Sequence, residues 1–112
     1  MSPKRSLQSA EGTEMMPGVV RRTLAYNDEV MLCHFELAKG AKIPLHNHRP
    51  SQIGFVVSGR VRFLGVKDSD AFEAATGQAY VIDPDVQHGA EALEDSVFVE
   101  VFHPAREEYR DF

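Results

Sequence analysis

The chain has 112 residues and a mass of 12.5 kDa, so it has room for one domain built around one hydrophobic core. Its formal charge is −5 and its basic residues are scattered, which argues against nucleic acid as a partner. No apolar run approaches the ~20 residues that cross a bilayer, and the first residues contain no apolar stretch typical of a signal peptide. Cys33 is the single cysteine, so we expect a cytoplasmic protein with no membrane partner and no intrachain disulfide.

Taken in order, the chain predicts an N-terminal arm followed by one β-rich domain. Residues 1–16 are polar and show no strand or helix periodicity, so we expect a flexible arm or an arm that spans a dimer. Within the domain, residues 17–112, short β-rich runs such as 18–26 and 30–37 recur about every ten residues between turns. Only PAREEYRDF, residues 104–112, could support a turn of helix. This pattern predicts an all-β fold, either a sandwich or a barrel.

A candidate metal site lies in GAKIPLHNHRPSQIGFVVSG, residues 40–59. Side chains alternate between the faces of an extended strand, so His46 and His48 should point the same way. Gln52 follows a corner that contains Pro50 and can bring an amide oxygen towards the same point, while the later run GQAYVIDPDVQHG offers His88 as a further nitrogen ligand. Imidazole and amide ligands together predict a first-row metal ion without identifying it.

The segment SVFVEVFH, residues 96–103, has a period-two pattern that leaves two alternatives open. One face carries only valine, and the other carries Glu100 between Phe98 and Phe102. Either the second face looks into a cavity that holds a polar or cationic ligand, or the valines form the core and Glu100 lies outside.

Two motifs in this sequence resemble those of the cupin family. The first is Gly40-x5-His46-x-His48-x3-Gln52-x6-Gly59, with Gln52 where the family usually has Glu. The second runs from Gly77 to His88, and the Asn that usually follows it is replaced by Ala92. The resemblance covers roughly residues 30–103 and implies a small double-stranded β-barrel of the jelly-roll type, with a metal ion in its mouth and usually a homodimer.

Further segments look like the KdgF-type cupins of pectin and alginate degradation: PGVVRRTLAYNDEVML, SQIGFVVSGRVRF and VQHGAEALEDSVFVEVFHPAREEY. Members of that group linearise 4,5-unsaturated monouronates to keto-deoxyuronates. The resemblance implies one divalent transition metal ion (zinc, nickel, iron or manganese) bound by three histidines and one glutamine, here His46, His48, His88 and Gln52. The group's later Asp, Phe and Arg match Glu100, Phe102 and Arg106, and the change from Asp to Glu is a departure.

The residue types themselves favour Lewis-acid chemistry on a small anionic sugar acid or keto acid. Three neutral imidazoles and a neutral amide leave the full charge on a divalent ion, which then attracts an anion and polarises its oxygens. Glu100 is the candidate acid and base, Arg106 can pair with the substrate carboxylate in two parallel hydrogen bonds, and Phe102 is a candidate pocket wall. The leading hypothesis is thus a lyase- or isomerase-type enzyme that opens unsaturated monouronates. The alternatives are a cupin dioxygenase acting on a dihydroxy or diketone substrate, and a cupin that binds a sugar or metabolite without turnover.

Overall fold

The computed structural model describes residues 3–112 as two facing β-sheets, which confirms the predicted all-β class. Every strand pairing among these residues is antiparallel. The strands are β1 (Thr13–Met16), β2 (Val19–Tyr26), β3 (Met31–Leu37), β4 (Lys42–His46), β5 (Ser51–Ser58), β6 (Arg60–Leu64), β7 (Phe72–Ala75), β8 (Ala79–Ile82), β9 (His88–Ala92) and β10 (Ser96–His103). Two 3-10 turns, Asp68–Asp70 and Glu107–Tyr109, complete the regular structure, and the second lies in the segment for which a turn of helix was predicted.

The larger sheet has six strands in the order β1-β2-β3-β10-β5-β8, and the smaller sheet has four in the order β4-β9-β6-β7. β10 lies in the interior of the larger sheet, paired with β3 on one side and β5 on the other. Sequence neighbours such as β5 and β6 belong to different sheets, and Gly59, between them, has a positive φ of 95° that favours glycine. The chain therefore crosses repeatedly between the sheets, as expected for a jelly roll.

The core lies between the two sheets and is rich in aromatic rings. Phe98 on β10 packs between Phe35 on β3 and Phe63 on β6, with ring centroids 5.2 and 6.1 Å away. Phe98 and Phe102 are 2% and 1% exposed. Their burial decides the alternative left open for residues 96–103, because the face that carries Phe98, Glu100 and Phe102 points inwards and the valines point outwards.

The predicted N-terminal arm is partly incorporated into the larger sheet. Residues 1 and 2 lie outside the described residues, but Thr13–Met16 pair with β2 as the edge strand β1. Ala10 is buried just before this strand. The last residues of the expected arm are thus ordered within a single chain, while contact of the arm with a second subunit stays a prediction. No helix of the described residues is long and apolar enough to cross a membrane.

Candidate metal centre

Three histidines, two from strands and one from the segment that follows β4, lie close together. His46 is the last residue of β4 and pairs in register with His88, the first residue of β9. His48 follows two residues after β4. One ligand atom from each ring lies within 4.8 Å of the others, so the three rings can hold a single ion. Antiparallel pairing of β4 with β9 is what brings the two sequence motifs together.

All three rings are oriented by the same kind of hydrogen bond. In each case Nδ1 lies within hydrogen-bonding distance of the backbone carbonyl oxygen two residues away, and a carbonyl oxygen can only accept. Nδ1 must therefore carry the proton, which leaves the lone pair on Nε2. The accepting oxygens are those of Pro44 for His46 (2.9 Å), Pro50 for His48 (2.6 Å) and Val86 for His88 (2.9 Å).

Burial favours the neutral, ligand form of two of these rings. It lowers the pKa of His88 to about 4, helped by the charges of neighbouring groups, and it also lowers the pKa of His48. Nε2 of His48 is buried and has no hydrogen-bond partner. A buried lone pair without a donor fits a metal ion and is unfavourable without one.

Gln52, the second residue of β5 in the larger sheet, has its side chain beside His48. Its side chain lies close enough to His48 to influence the pKa of that ring. Its Nε2 donates to Oε2 of Glu100 at 2.6 Å, and its Oε1 is buried with no hydrogen-bond partner. Gln52 Oε1 and His48 Nε2 are thus two buried polar atoms without a hydrogen-bond partner, and a bound cation would provide a partner for both.

Glu100 is the carboxylate that is hydrogen-bonded to Gln52. Its Oε2 accepts from Nε2 of Gln52 and from the hydroxyl of Tyr80, each at 2.6 Å, while no hydrogen bond of the described residues ends on Oε1. Burial raises the pKa of Glu100 to about 7, although the two donors and the charge of Arg106 act in the opposite direction. A carboxyl group with a pKa near neutrality can both release and accept a proton under physiological conditions.

Sequence reasoning missed Tyr80, which reaches Glu100 across an intervening strand. Gly54 on β5 pairs with Glu100 of β10 on one side and with Tyr80 of β8 on the other. A Cβ atom built on Gly54 would lie 2.3 Å from the Tyr80 hydroxyl oxygen, so the phenol occupies the space above this glycine. The available signal was Gly54 itself, because a glycine inside a strand often marks the close approach of another group.

Arg106 and Phe102 lie on the C-terminal side of the same region. The Phe102 ring stands edge-on to His48 at a centroid distance of 5.8 Å. The Arg106 guanidinium lies 4.0 Å from the centroid of Tyr109 and 5.2 Å from that of Phe102, and its Nε donates to Glu108 at 2.6 Å. The terminal nitrogens of Arg106 are therefore available to bind another partner. Its charge acts to lower the pKa of both His48 and Glu100.

A cavity of about 340 Å³ reaches the centre at His88. Its walls are mostly apolar, with Phe63, Phe72 and Val81 among them, and Asp70 and Asp83 add two acidic groups. A larger groove of about 460 Å³, bordered by Glu14 and Asp95, does not include any residue of the centre. The other two histidines also lie away from it, because His34 is buried on the outer face of β3 and His103 contacts the carbonyl oxygen of Glu29.

Two facing antiparallel sheets with a cluster of three histidines define a cupin. The family model for the cupin domain matches residues 33–102, and the chain belongs to this family. Among solved structures, an RmlC-like cupin from Shewanella frigidimarina has a TM-score of 0.84 and 27% identity, covering 96% of this chain and 99% of that one. An oxalate decarboxylase from Bacillus subtilis, 18% identical with a TM-score of 0.81, shares the fold over 31% of its own length.

Within the cupins, the resemblance to KdgF-type members is confirmed. The pectin degradation protein KdgF of Dickeya dadantii is 31% identical over 98 residues, which are 86% of this chain and 87% of that protein. The structure of KdgF from Halomonas sp. matches with a TM-score of 0.83 and 28% identity over 92% of this chain and 95% of that one. Family and histidine cluster together support a cupin-type, metal-dependent enzyme.

Proposed function

We propose that this protein opens the ring of 4,5-unsaturated monouronates to give keto-deoxyuronates. The observation that carries the proposal is the cluster of three histidines, with the unpartnered amide oxygen of Gln52, the inward Glu100 and the partly buried Arg106 nearby. The similarity to the KdgF proteins over most of the chain supports the same reaction. A divalent ion bound to these neutral ligands would supply a positive centre that attracts the substrate carboxylate and polarises its oxygens.

The reaction moves one proton and needs no oxidant. The anomeric hydroxyl loses its proton as the bond between C1 and the ring oxygen breaks, which leaves an aldehyde at C1 and an enolate at C5. The enolate then takes a proton at C4 and becomes a ketone. We assign the proton transfer to Oε1 of Glu100, because its Oε2 is already held by two donors.

Arg106 is assigned to the substrate carboxylate. Its guanidinium lies over the rings of Tyr109 and Phe102, and its side chain is 11% exposed. A guanidinium fixed in this way can offer its two terminal nitrogens to both oxygens of a carboxylate. Phe102 would then form the wall between the arginine and His48, which lies edge-on to its ring.

The test is the loss of ultraviolet absorbance of freshly prepared 4,5-unsaturated monogalacturonate, measured against the spontaneous rate. Metal-loaded protein should accelerate the loss, and chelation should abolish the acceleration. Glu100→Gln keeps an oxygen that can accept from Gln52 and Tyr80, so this variant should bind metal but lose at least a hundredfold in rate. Glu91→Gln is the matched control, because Glu91 lies on β9 and pairs with Lys42 at the surface.

Each alternative has its own outcome in this assay. If metal-loaded protein does not accelerate the loss of the uronate, and instead consumes oxygen with a dihydroxy or diketone substrate, the protein is a dioxygenase. A uronate that binds and is recovered unchanged would indicate a binding protein. Full activity of Glu100→Gln would refute the assignment of proton transfer to Glu100 while leaving the ring-opening activity itself in place.

We further propose a homodimer formed through the outer face of the larger sheet. Ile53 pairs in register with Val101 on one side and Val81 on the other, and these outward side chains are 54%, 37% and 61% exposed. With Phe55 and Val57 beside them, the patch presents on the order of 500 Å² of apolar side chain, at the upper end for a monomer. A stable interface buries roughly 800 Å² per partner, so this patch is large enough to form the apolar centre of an interface with a second copy packed face to face.

The oligomeric state tests this face directly. Sedimentation or light scattering should give a mass of about twice 12.5 kDa for the natural chain. Ile53→Lys should give the single-chain mass, whereas Val66→Lys, at a residue that is 68% exposed in the loop after β6, should stay dimeric. A natural chain that is monomeric, or a dimer that survives Ile53→Lys, would refute the proposal.

A further inference from the structure

We propose that Tyr80 is a positioning residue for the metal centre. It acts through Glu100 to hold the Gln52 amide with its oxygen facing the histidines. Gly54 leaves the space that the Tyr80 side chain needs to reach Glu100. The inference rests on the metal centre of the proposed function and is independent of the substrate assigned there.

The four residues form one connected arrangement across three neighbouring strands. Gln52 and Gly54 are successive inward residues of β5, while Glu100 on β10 and Tyr80 on β8 flank Gly54 in register. Because Gly54 has no side chain, the phenol can extend over β5 and donate to Glu100 Oε2 at 2.6 Å. All three side chains are buried, with exposures of 4% for Gln52, 7% for Tyr80 and 5% for Glu100.

The hydrogen bonds determine which end of the Gln52 amide faces the histidines. An amide nitrogen only donates and an amide oxygen only accepts, so the two ends of the group are not interchangeable beside Glu100. Glu100 Oε2 already accepts from the Tyr80 hydroxyl, which keeps this oxygen an acceptor. Gln52 must then present Nε2 to Glu100, and its Oε1 points away with no protein partner. Without the phenol, Glu100 could turn and the amide could flip.

The aromatic ring of Tyr80 has a separate structural role that a conservative variant preserves. Its centroid lies 4.3 Å from that of Phe63 and 6.4 Å from that of Phe98. Tyr80→Phe keeps these ring contacts and removes only the hydroxyl. Tyr26→Phe is the matched control, because the Tyr26 ring packs on Phe112 and its hydroxyl makes no hydrogen bond among the described residues.

The experiment is a titration of the metal-free full chain with Co²⁺ alone, in competition with a chelating indicator. We expect Tyr80→Phe to weaken Co²⁺ binding about five- to tenfold, below the 10- to 100-fold that direct partners of metal ligands produce. The visible absorption of bound Co²⁺ should also change, and Tyr26→Phe should alter neither quantity. No effect of Tyr80→Phe on affinity or spectrum would overturn the proposal, as would a natural chain that binds no Co²⁺.

A double-mutant cycle separates positioning from general structural support. In a Gln52→Ala background the residue that Tyr80 positions is gone, so Tyr80→Phe should cause no further loss of Co²⁺ affinity. An equal loss in both backgrounds would show a structural role and refute the inference. If Tyr80→Phe does not fold, Gly54→Ala in the same cycle provides the second test, since its Cβ displaces the phenol. Because no substrate is present, failure of the uronate assay leaves this result unaffected.

Discussion

The Gly54→Ala substitution tests how tightly the interior is built around Tyr80. The added Cβ would lie 2.3 Å from Cζ and the hydroxyl oxygen of Tyr80 and 2.7 Å from Cε2, so the ring has to move. Forced rearrangement of a packed core destabilises a protein by about 1–3 kcal/mol. Loss of a hydrogen bond to a buried carboxyl group adds about 1.5–3 kcal/mol. Replacing glycine in a strand regains about 0.5–1 kcal/mol, so we expect a net decrease in unfolding free energy of about 1.5–5.5 kcal/mol.

Equilibrium unfolding of the metal-free protein in urea measures this change. The midpoint should fall for Gly54→Ala while the slope of free energy against urea stays the same, because the surface exposed on unfolding is unchanged. Gly12→Ala is the control: the three atoms nearest to its Cβ are side-chain atoms of Arg22 and Val20, at 3.1–3.2 Å, which need to shift by only a few tenths of an ångström, so stability should change by less than about 1 kcal/mol. A Gly54→Ala protein as stable as the natural chain would refute the packing argument.

Three further predictions concern buried polar groups. Gln52→Glu places a second carboxyl group against Glu100 Oε2, so the metal-free protein should lose about 1–3 kcal/mol of stability in urea. The added negative charge should also make the metal-loaded protein bind uronate more weakly. Unchanged uronate affinity would contradict the argument that neutral ligands strengthen the attraction of the ion for an anionic substrate. Glu100→Asp withdraws the carboxyl group by about 1.5 Å, out of reach of Gln52 and Tyr80, and should lower the ring-opening rate at least tenfold. A rate equal to that of the natural chain would show that the length of the Glu100 side chain does not matter for the reaction. Burial raises the pKa of Cys33 from 9.0 to about 11, so the thiol should react with a chromogenic disulfide at pH 8 no faster than the chain unfolds. The contribution of the protonated Cys33 thiol to stability is complete below pH 9 and is lost as the pH rises through about 11. In the modification assay, a rapid reaction without urea would show that the region around Cys33 opens locally.

The parts of the fold and site that could be predicted from the sequence are those encoded by nearby residues. Short β-rich runs between turns predicted strands in residues 18–26 and 30–37, and the structure has strands at Val19–Tyr26 and Met31–Leu37. The motif spacing likewise pointed to His46, His48 and His88, which the structure brings together.

Contacts between distant strands could not be predicted in the same way. The inward orientation of Glu100 depends on donors from β5 and β8, and no local pattern places those strands beside β10. Tyr80 was missed for this reason, because its partner is 20 residues away in sequence and is reached across Gly54. Similarly, nothing in the polar residues before Val19 indicates that Thr13–Met16 would pair as an edge strand.

The interior position of β10 has a consequence for how the chain folds during synthesis. β3 and β5 are made first, and each has one edge that only β10 can cover. Until residues 96–103 emerge from the ribosome, the larger sheet is divided into two parts, with unpaired edges that can pair with other nascent chains. Closure requires pairing of β10 with strands that start 65 and 45 residues earlier, as Met31, Ser51 and Ser96 mark their first residues. Such long-range pairing folds slowly, so we expect the yield of active protein to depend on temperature and chaperone supply during expression more than the stability of the finished fold would suggest.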